Sequence, residues 1–235
     1  MKRYFLIFST VFMISGTVAF SQEESESPFS VTADIYSRYL WRGTDFGGSP
    51  AIQPGLSYSK GGFTAGAWAS YTTNGNQTQE CDLYLSYTFL KEMLTVTATD
   101  YFFPVDGALN KYFNYNDTTT GHIFEMAVAF NGTEKLPLGI LVATNLYGAD
   151  PRKDNGDPYY STYIEANYQF KHVKLFAGFN PIESGFYGDY MGFCNIGATA
   201  KKEIKITDNF SVPVSVSLIT NPQKENIFLV VGASF

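Results

Sequence analysis

Ionisable side chains are sparse in this chain. Of 235 residues only 16% are Asp, Glu, Lys or Arg, with 2 His and 2 Cys. Those that occur recur at even spacing. Asp34, Tyr36, Arg38 and Arg42 share one parity, as do Gln53 and Ser57, Asp82 and Tyr84, and Glu165, Asn167 and Gln169. Even spacing puts side chains on one face of a β-strand. With Glu125 added, both signs of charge face one enclosed space. The chemistry this allows is selection of solutes by field and hydrogen bonding. On one continuous strand, Arg38 and Arg42 would stack about 13 Å apart at ~3.3 Å per residue. That column would face Asp34, Asp82, Glu125 and Glu165. The transverse field would orient dipolar solutes and select weakly for sign of charge. Replacing both arginines by Ala would then move a reversal potential towards cations. A second reading stays open, in which the arginines neutralise Asp34, Asp82 or Glu165 across the wall.

Other chemistries find less support. Nucleophilic catalysis needs a base beside a Ser or Cys, and no Ser lies within two residues of His122 or His172. Asp150, Asp154 and Asp157, with Asn155, could hold Ca²⁺, but their spacing is not that of an EF-hand loop and a solvated polar loop explains them. No zinc spacing or phosphate-binding glycine loop is present. No catalytic residue, metal ligand or cofactor is therefore assigned. A net charge of −6 excludes a general nucleic-acid partner, which requires a basic face.

The elements that must position these residues are strands. Period-two alternation runs along the chain. Phe210, Val212, Val214, Val216 and Leu218 oppose Ser211, Pro213, Ser215 and Ser217. Leu83, Leu85, Tyr87 and Phe89 oppose Asp82, Tyr84, Ser86 and Thr88. Twelve strands are expected, over residues 30–42, 51–59, 63–73, 80–90, 94–103, 121–131, 138–147, 160–170, 173–180, 190–200, 210–220 and 227–235. In the fifth, Asp100 shares parity with Leu94, Val96 and Ala98, which suggests a bulge or an end above the bilayer. Short turns at 59–62, 90–93 and 171–172 alternate with long polar loops at 104–120, 148–159 and 181–189. Residues 131–137 and 201–209 make longer turns than that pattern prefers. The fold class is thus all-β, a single transmembrane antiparallel barrel of about 12 strands with no helical domain. A soluble sandwich also alternates, but its faces carry Lys and Glu freely, whereas these apolar faces carry almost none. Six strands separate Cys81 from Cys194, which predicts two free thiols.

The chain divides into three parts. Residues 1–21 read as a secretory signal, with Lys2 and Arg3 ahead of an apolar run and small residues Ala19 and Ser21 at the cleavage site. Residues 22–28 form a polar tail and 29–235 the barrel. An even strand number places both termini in the periplasm. The last strand ends on Phe235, which resembles the signal by which outer-membrane proteins engage the barrel-assembly machinery.

One segment resembles a known family. Ser37-Arg-Tyr-Leu-Trp-Arg-Gly43, then residues 49–59 (SPAIQPGLSYS) and 61–70 (GGFTAGAWAS), look like the start of the TorF-like porins. Asp100-Tyr-Phe-Phe-Pro104 is similar too. The resemblance covers about the first third. It implies a small barrel in the outer membrane of a Gram-negative bacterium and no particular substrate. The expected function is a channel for small solutes, with outer-membrane lipid around it. The alternatives are a closed structural or binding barrel that meets partners through its loops and, with less support, a lipid hydrolase.

Overall fold

The computed structural model describes residues 27–74, 79–104 and 111–235. The secretory signal and most of the polar tail lie outside them. The elements are β1 (Phe29–Tyr36), β2 (Leu40–Trp41), β3 (Thr44–Asp45), β4 (Ala51–Lys60), β5 (Phe63–Thr72), β6 (Gln79–Phe89), β7 (Leu94–Phe102), β8 (His122–Phe130), β9 (Leu138–Gly148), β10 (Thr162–Gln169), β11 (Val173–Asn180), β12 (Gly192–Thr207), β13 (Phe210–Asn221) and β14 (Asn226–Ser234). Twelve of them, β1 and β4 to β14, form one closed antiparallel barrel in which each strand pairs with its neighbours in sequence and β1 joins β14. The short β2–β3 pair stands apart from the wall. Closure leaves no long sheet edge unpaired, which a strand structure in hydrocarbon requires. The seam is narrow: Asp34, Ile35 and Tyr36 pair with Ser234, Ala233 and Gly232. Phe235 completes it, exchanging backbone bonds of 2.9 and 3.1 Å with Ala33.

Alternation sorts the two faces as expected. Ile35, Ile52, Leu56, Leu83, Leu85, Val128, Val142, Leu175, Leu218 and Leu229 are exposed on the outside. Asp34, Gln53, Asp82, Ser86, Glu125 and Glu165 are buried on the inside. A water-soluble domain has the opposite arrangement. An apolar belt this continuous suits hydrocarbon.

Two local expectations are corrected, and one left with two alternatives is decided. The first strand does not run over 30–42. It leaves the wall after Tyr36, and residues 37–50 turn inward and carry β2 and β3. The strand expected at 190–200 continues to Thr207, so residues 201–209 are mostly strand and the turn is Asp208-Asn209. Asp100 needs no bulge: β7 keeps unbroken register with β6 and β8. Asp100 lies on the outer face near the long-loop end, where its Oδ1 is 2.7 Å from Nδ1 of His122. The irregularities fall elsewhere, at Phe124/Glu125, Gly178/Phe179 and Lys205/Thr207. Cys81 and Cys194 are free, on β6 and β12, six strands apart around the ring.

Candidate functional site: a hairpin across the lumen

The site begins with a backbone conformation. Arg42 has φ 50° and Gly43 φ 80°. Leu40 pairs with Asp45 and Trp41 with Thr44 around them. Two consecutive positive φ values in a two-residue loop mark the tight hairpin turns whose twist matches paired strands. Glycine accepts this at no steric cost, whereas arginine does so at some expense and needs compensation from its surroundings. Gly43 is also fixed by space. A Cβ there would lie 2.0 Å from the Cys194 carbonyl oxygen on β12. The Gly43 carbonyl accepts a 3.1 Å bond from Nδ2 of Asn221 on β13.

The compensation at Arg42 is a lumenal cage. Its guanidinium pairs with Glu125 of β8 through both nitrogens, with Nη2 to Oε1 at 2.9 Å. Nη1 also donates to the hydroxyl of Tyr187, from the long loop before β12. The Arg42 Cζ lies 4.3, 4.8 and 5.6 Å from the ring centroids of Trp41, Tyr163 and Tyr187. Tyr101 of β7 donates a 3.1 Å bond to the same Glu125 carboxylate. The two charged side chains are only 1% and 2% exposed. Such burial is tolerated only because carboxylate, hydroxyls and ring faces replace water around the guanidinium. Burial pushes the Tyr187 hydroxyl well above the ordinary tyrosine range, with Arg42 pulling in the other direction, so it stays neutral at physiological pH.

The hairpin reaches the wall on nearly every side. Tyr39 packs against Trp68 of β5 with ring centroids 5.7 Å apart, and its hydroxyl donates to Glu80 of β6. Trp41 meets Tyr101 of β7 at 5.5 Å and Phe186 at 5.6 Å. Arg42 reaches β8 and β10, and Gly43 touches β12 and β13. Tyr39, Trp41 and Tyr187 are buried in one cluster with Trp68, Tyr101 and Tyr163. The lumen is crossed by a packed layer.

The expected pore residues are distributed unevenly around this layer. Arg42 and Glu125 come together. Glu165 stands beside them on β10, accepting 2.7 Å from the Tyr163 hydroxyl, which itself accepts 2.8 Å from Asn195. Asp82 is buried on β6, in register with Trp68 and Tyr101. Asp34 and Gln53 are buried and in register on β1 and β4, with Gln53 3.4 Å from the Ser70 hydroxyl. Tyr84 lies over Gly66, and Asn167 over Gly139, each in register with that glycine. Gln169 is exposed at the short-turn end of β10 and bonds the Phe170 carbonyl at 2.5 Å. The column of Arg38 and Arg42 does not form, because both residues have left the wall. Arg38 pairs with Asp45 at the hairpin base and remains 40% exposed. The partner of Arg42 is Glu125, not Asp34, Asp82 or Glu165.

Several lumenal residues escaped the sequence reading: Tyr39, Trp41, Glu80, Tyr101, Tyr163 and Tyr187. Glu80 shares the parity of Asp82 and was there to be found. Tyr39, Trp41 and Tyr101 sit in aromatic clusters near the ends of the expected strands, a pattern that membrane-interface girdles also produce. The Arg42-Gly43 break in alternation was the available sign of a turn. In the loop acids, Asp150 is buried, accepting from Asn145 at 2.9 Å and from the Ser161 amide at 3.1 Å. Asp157 accepts from Asn155, and Asp154 is exposed. His122 spends both ring nitrogens, Nδ1 on Asp100 and Nε2 on the Tyr112 carbonyl at 2.5 Å.

Fold and site together define a closed twelve-stranded barrel, apolar outside and polar inside, with a hairpin of its own chain across the lumen. The chain belongs to a family described as a bacterial protein of unknown function (Gcw_chp), whose model matches residues 22–203. No curated protein matches it. Among solved structures it is similar to two substituted forms of the Rh. blastica porin, at 15% and 14% identity with TM-scores of 0.41 and 0.40. Each alignment covers 79% of this chain and 55% of the porin chain, so the present chain spans little more than half that porin's length.

Proposed function

We propose that this is an outer-membrane barrel of porin type, as the resemblance to the TorF-like porins implies, held shut by its own hairpin and passing small solutes only when the hairpin leaves the lumen. The apolar belt supports the membrane setting, and the rim of short turns that carries both termini would face the periplasm. The observation that carries the closed state is the complete burial of the Arg42–Glu125 pair inside the lumen. An open, water-filled channel would hydrate both charges. With the hairpin displaced, Asp34, Gln53, Asp82, Tyr84, Glu125, Glu165 and Asn167 would line the path.

Single-channel recording in planar bilayers tests this. Wild-type protein should be silent or nearly so. A variant with residues 37–49 replaced by a short Asn-Gly turn should give discrete conductance steps. Spontaneous steps in the wild type as large as those of the shortened barrel would overturn the closed reading.

A further inference from the structure

The cage that holds Arg42 is built mostly by the wall and belongs to the barrel whether or not the hairpin fills it. Glu125 on β8 supplies both carboxylate oxygens side by side, and Tyr101 on β7 fixes one of them at 3.1 Å. Tyr163 on β10 and Tyr187 present ring faces at 4.8 and 5.6 Å from the guanidinium carbon. Beside them Glu165 is buried, and Oδ1 of the buried Asn195 accepts no hydrogen bond among the described residues. A parallel two-oxygen acceptor under aromatic faces matches a planar guanidinium and fits a compact ammonium poorly. The charge of the surrounding wall points the same way. The inward positions of β6, β8 and β10 carry Glu80, Asp82, Glu125 and Glu165 and no Lys or Arg.

We infer that this cage is a recognition site for the guanidinium group, occupied in the closed barrel by the chain's own Arg42, and that the solutes the barrel admits are guanidinium-bearing organic cations that take its place. The inference rests on the closed-barrel reading. Arg42 then acts as an internal competitor. Tethered by only a few residues, it holds the cage at a high effective concentration, so an isolated solute displaces it only when abundant. Opening the barrel removes Arg42 from this layer and exposes Glu80, Asp82, Glu125 and Glu165 to the path, which favours positive solutes at this level of the lumen.

The test uses the full chain with Arg42→Ala, and methylguanidinium as the probe. Binding is read by calorimetry and by the melting temperature of the barrel on heat-modifiability gels. Methylguanidinium should bind R42A and raise its melting temperature, since a ligand that binds only the folded state stabilises it. It should bind wild type at least about tenfold more weakly, and R42A should prefer it over methylammonium by about tenfold. The double variant R42A/E125Q should lose that preference. If R42A does not fold, the barrel with residues 37–49 replaced presents the same vacated cage and takes its place. A folded, vacated cage that ignores methylguanidinium, or binds methylammonium equally well, overturns the inference. Wild-type silence in bilayers judges the closed reading separately, so the two failures are distinguishable.

Discussion

At the scale of single residues, two neighbours carry the closed state by different means. Arg42 holds through charge, Gly43 through space. Truncating one partner of a buried ion pair strands the other, at about 3–5 kcal/mol. Arg42→Ala should therefore lower barrel stability by that order in urea titrations. The double substitution Arg42→Ala/Glu125→Ala should cost less than the sum of the two singles, because no charge is left uncompensated. Additive losses would show that the pair contributes nothing as a pair. Gly43→Ala works without touching a charge: its Cβ has 2.0 Å to the Cys194 carbonyl oxygen, so the turn must retreat from β12. The chain's 2 Trp, Trp41 and Trp68, are both buried in the hairpin layer, which makes fluorescence a direct reporter of that retreat. G43A should shift the emission to the red. Gly61→Ala is the control, with φ 61° and nothing within 4 Å of the added Cβ, and should leave the emission unchanged. Equal spectra for the two variants would refute the close packing of the hairpin on β12.

At the scale of elements, most of the wall was legible, because period-two alternation is enforced at every position where one face meets an apolar medium and the other a polar interior. Ten of the expected spans agree with the observed strands to within two residues at each end, and the inward set Asp82, Tyr84, Glu125 and Glu165 followed from parity alone. Legibility failed where that rule lapses. Residues 39–43 lie inside the lumen and answer to packing, so Tyr39 and Trp41 are buried for reasons no alternation encodes. Beyond the wall, β12 pairs with β13 as far as Lys205 and Thr207, where two-sided polar sequence reads as turn. A finer pattern appears only in register. Tyr84 faces Gly66, Phe176 faces Gly197 and Tyr36 faces Gly232, each ring lying over a residue with no Cβ. Rings laid flat on glycine stay against the wall and keep the lumen clear. Gly66→Val would put a branched side chain where a Cβ alone comes within 2.4 Å of the Tyr84 ring. In the barrel with residues 37–49 replaced, that substitution should reduce single-channel conductance as the ring swings inward. An unchanged step size would show that Tyr84 does not border the path.

At the scale of the whole molecule, the asymmetry of the two rims defines an orientation that can be measured. The rim bearing Phe29 and Phe235 also carries the short turns Gly61-Gly62, 90–93, 170–172 and Asp208-Asn209, with one longer connection at 131–137. The other rim bears residues 103–121, 149–161 and 181–191, and it is from this rim that the hairpin folds inward. Long loops are tolerated where nothing constrains their length, and in bacterial barrels that side faces the exterior. A hairpin entering from the outer rim would close the barrel against the environment and leave the periplasmic mouth of the lumen free. The loops have exposed tips: Asp117 pairs with Arg152 at the surface, and Asp154 lies on the 149–161 loop. Protease added to intact cells should cut near Asp117 or Asp154, while the turn at Lys171 should be cut only after the outer membrane is breached. Cleavage at Lys171 in intact cells, with the loop at Asp154 spared, would invert the orientation and place the hairpin on the periplasmic side.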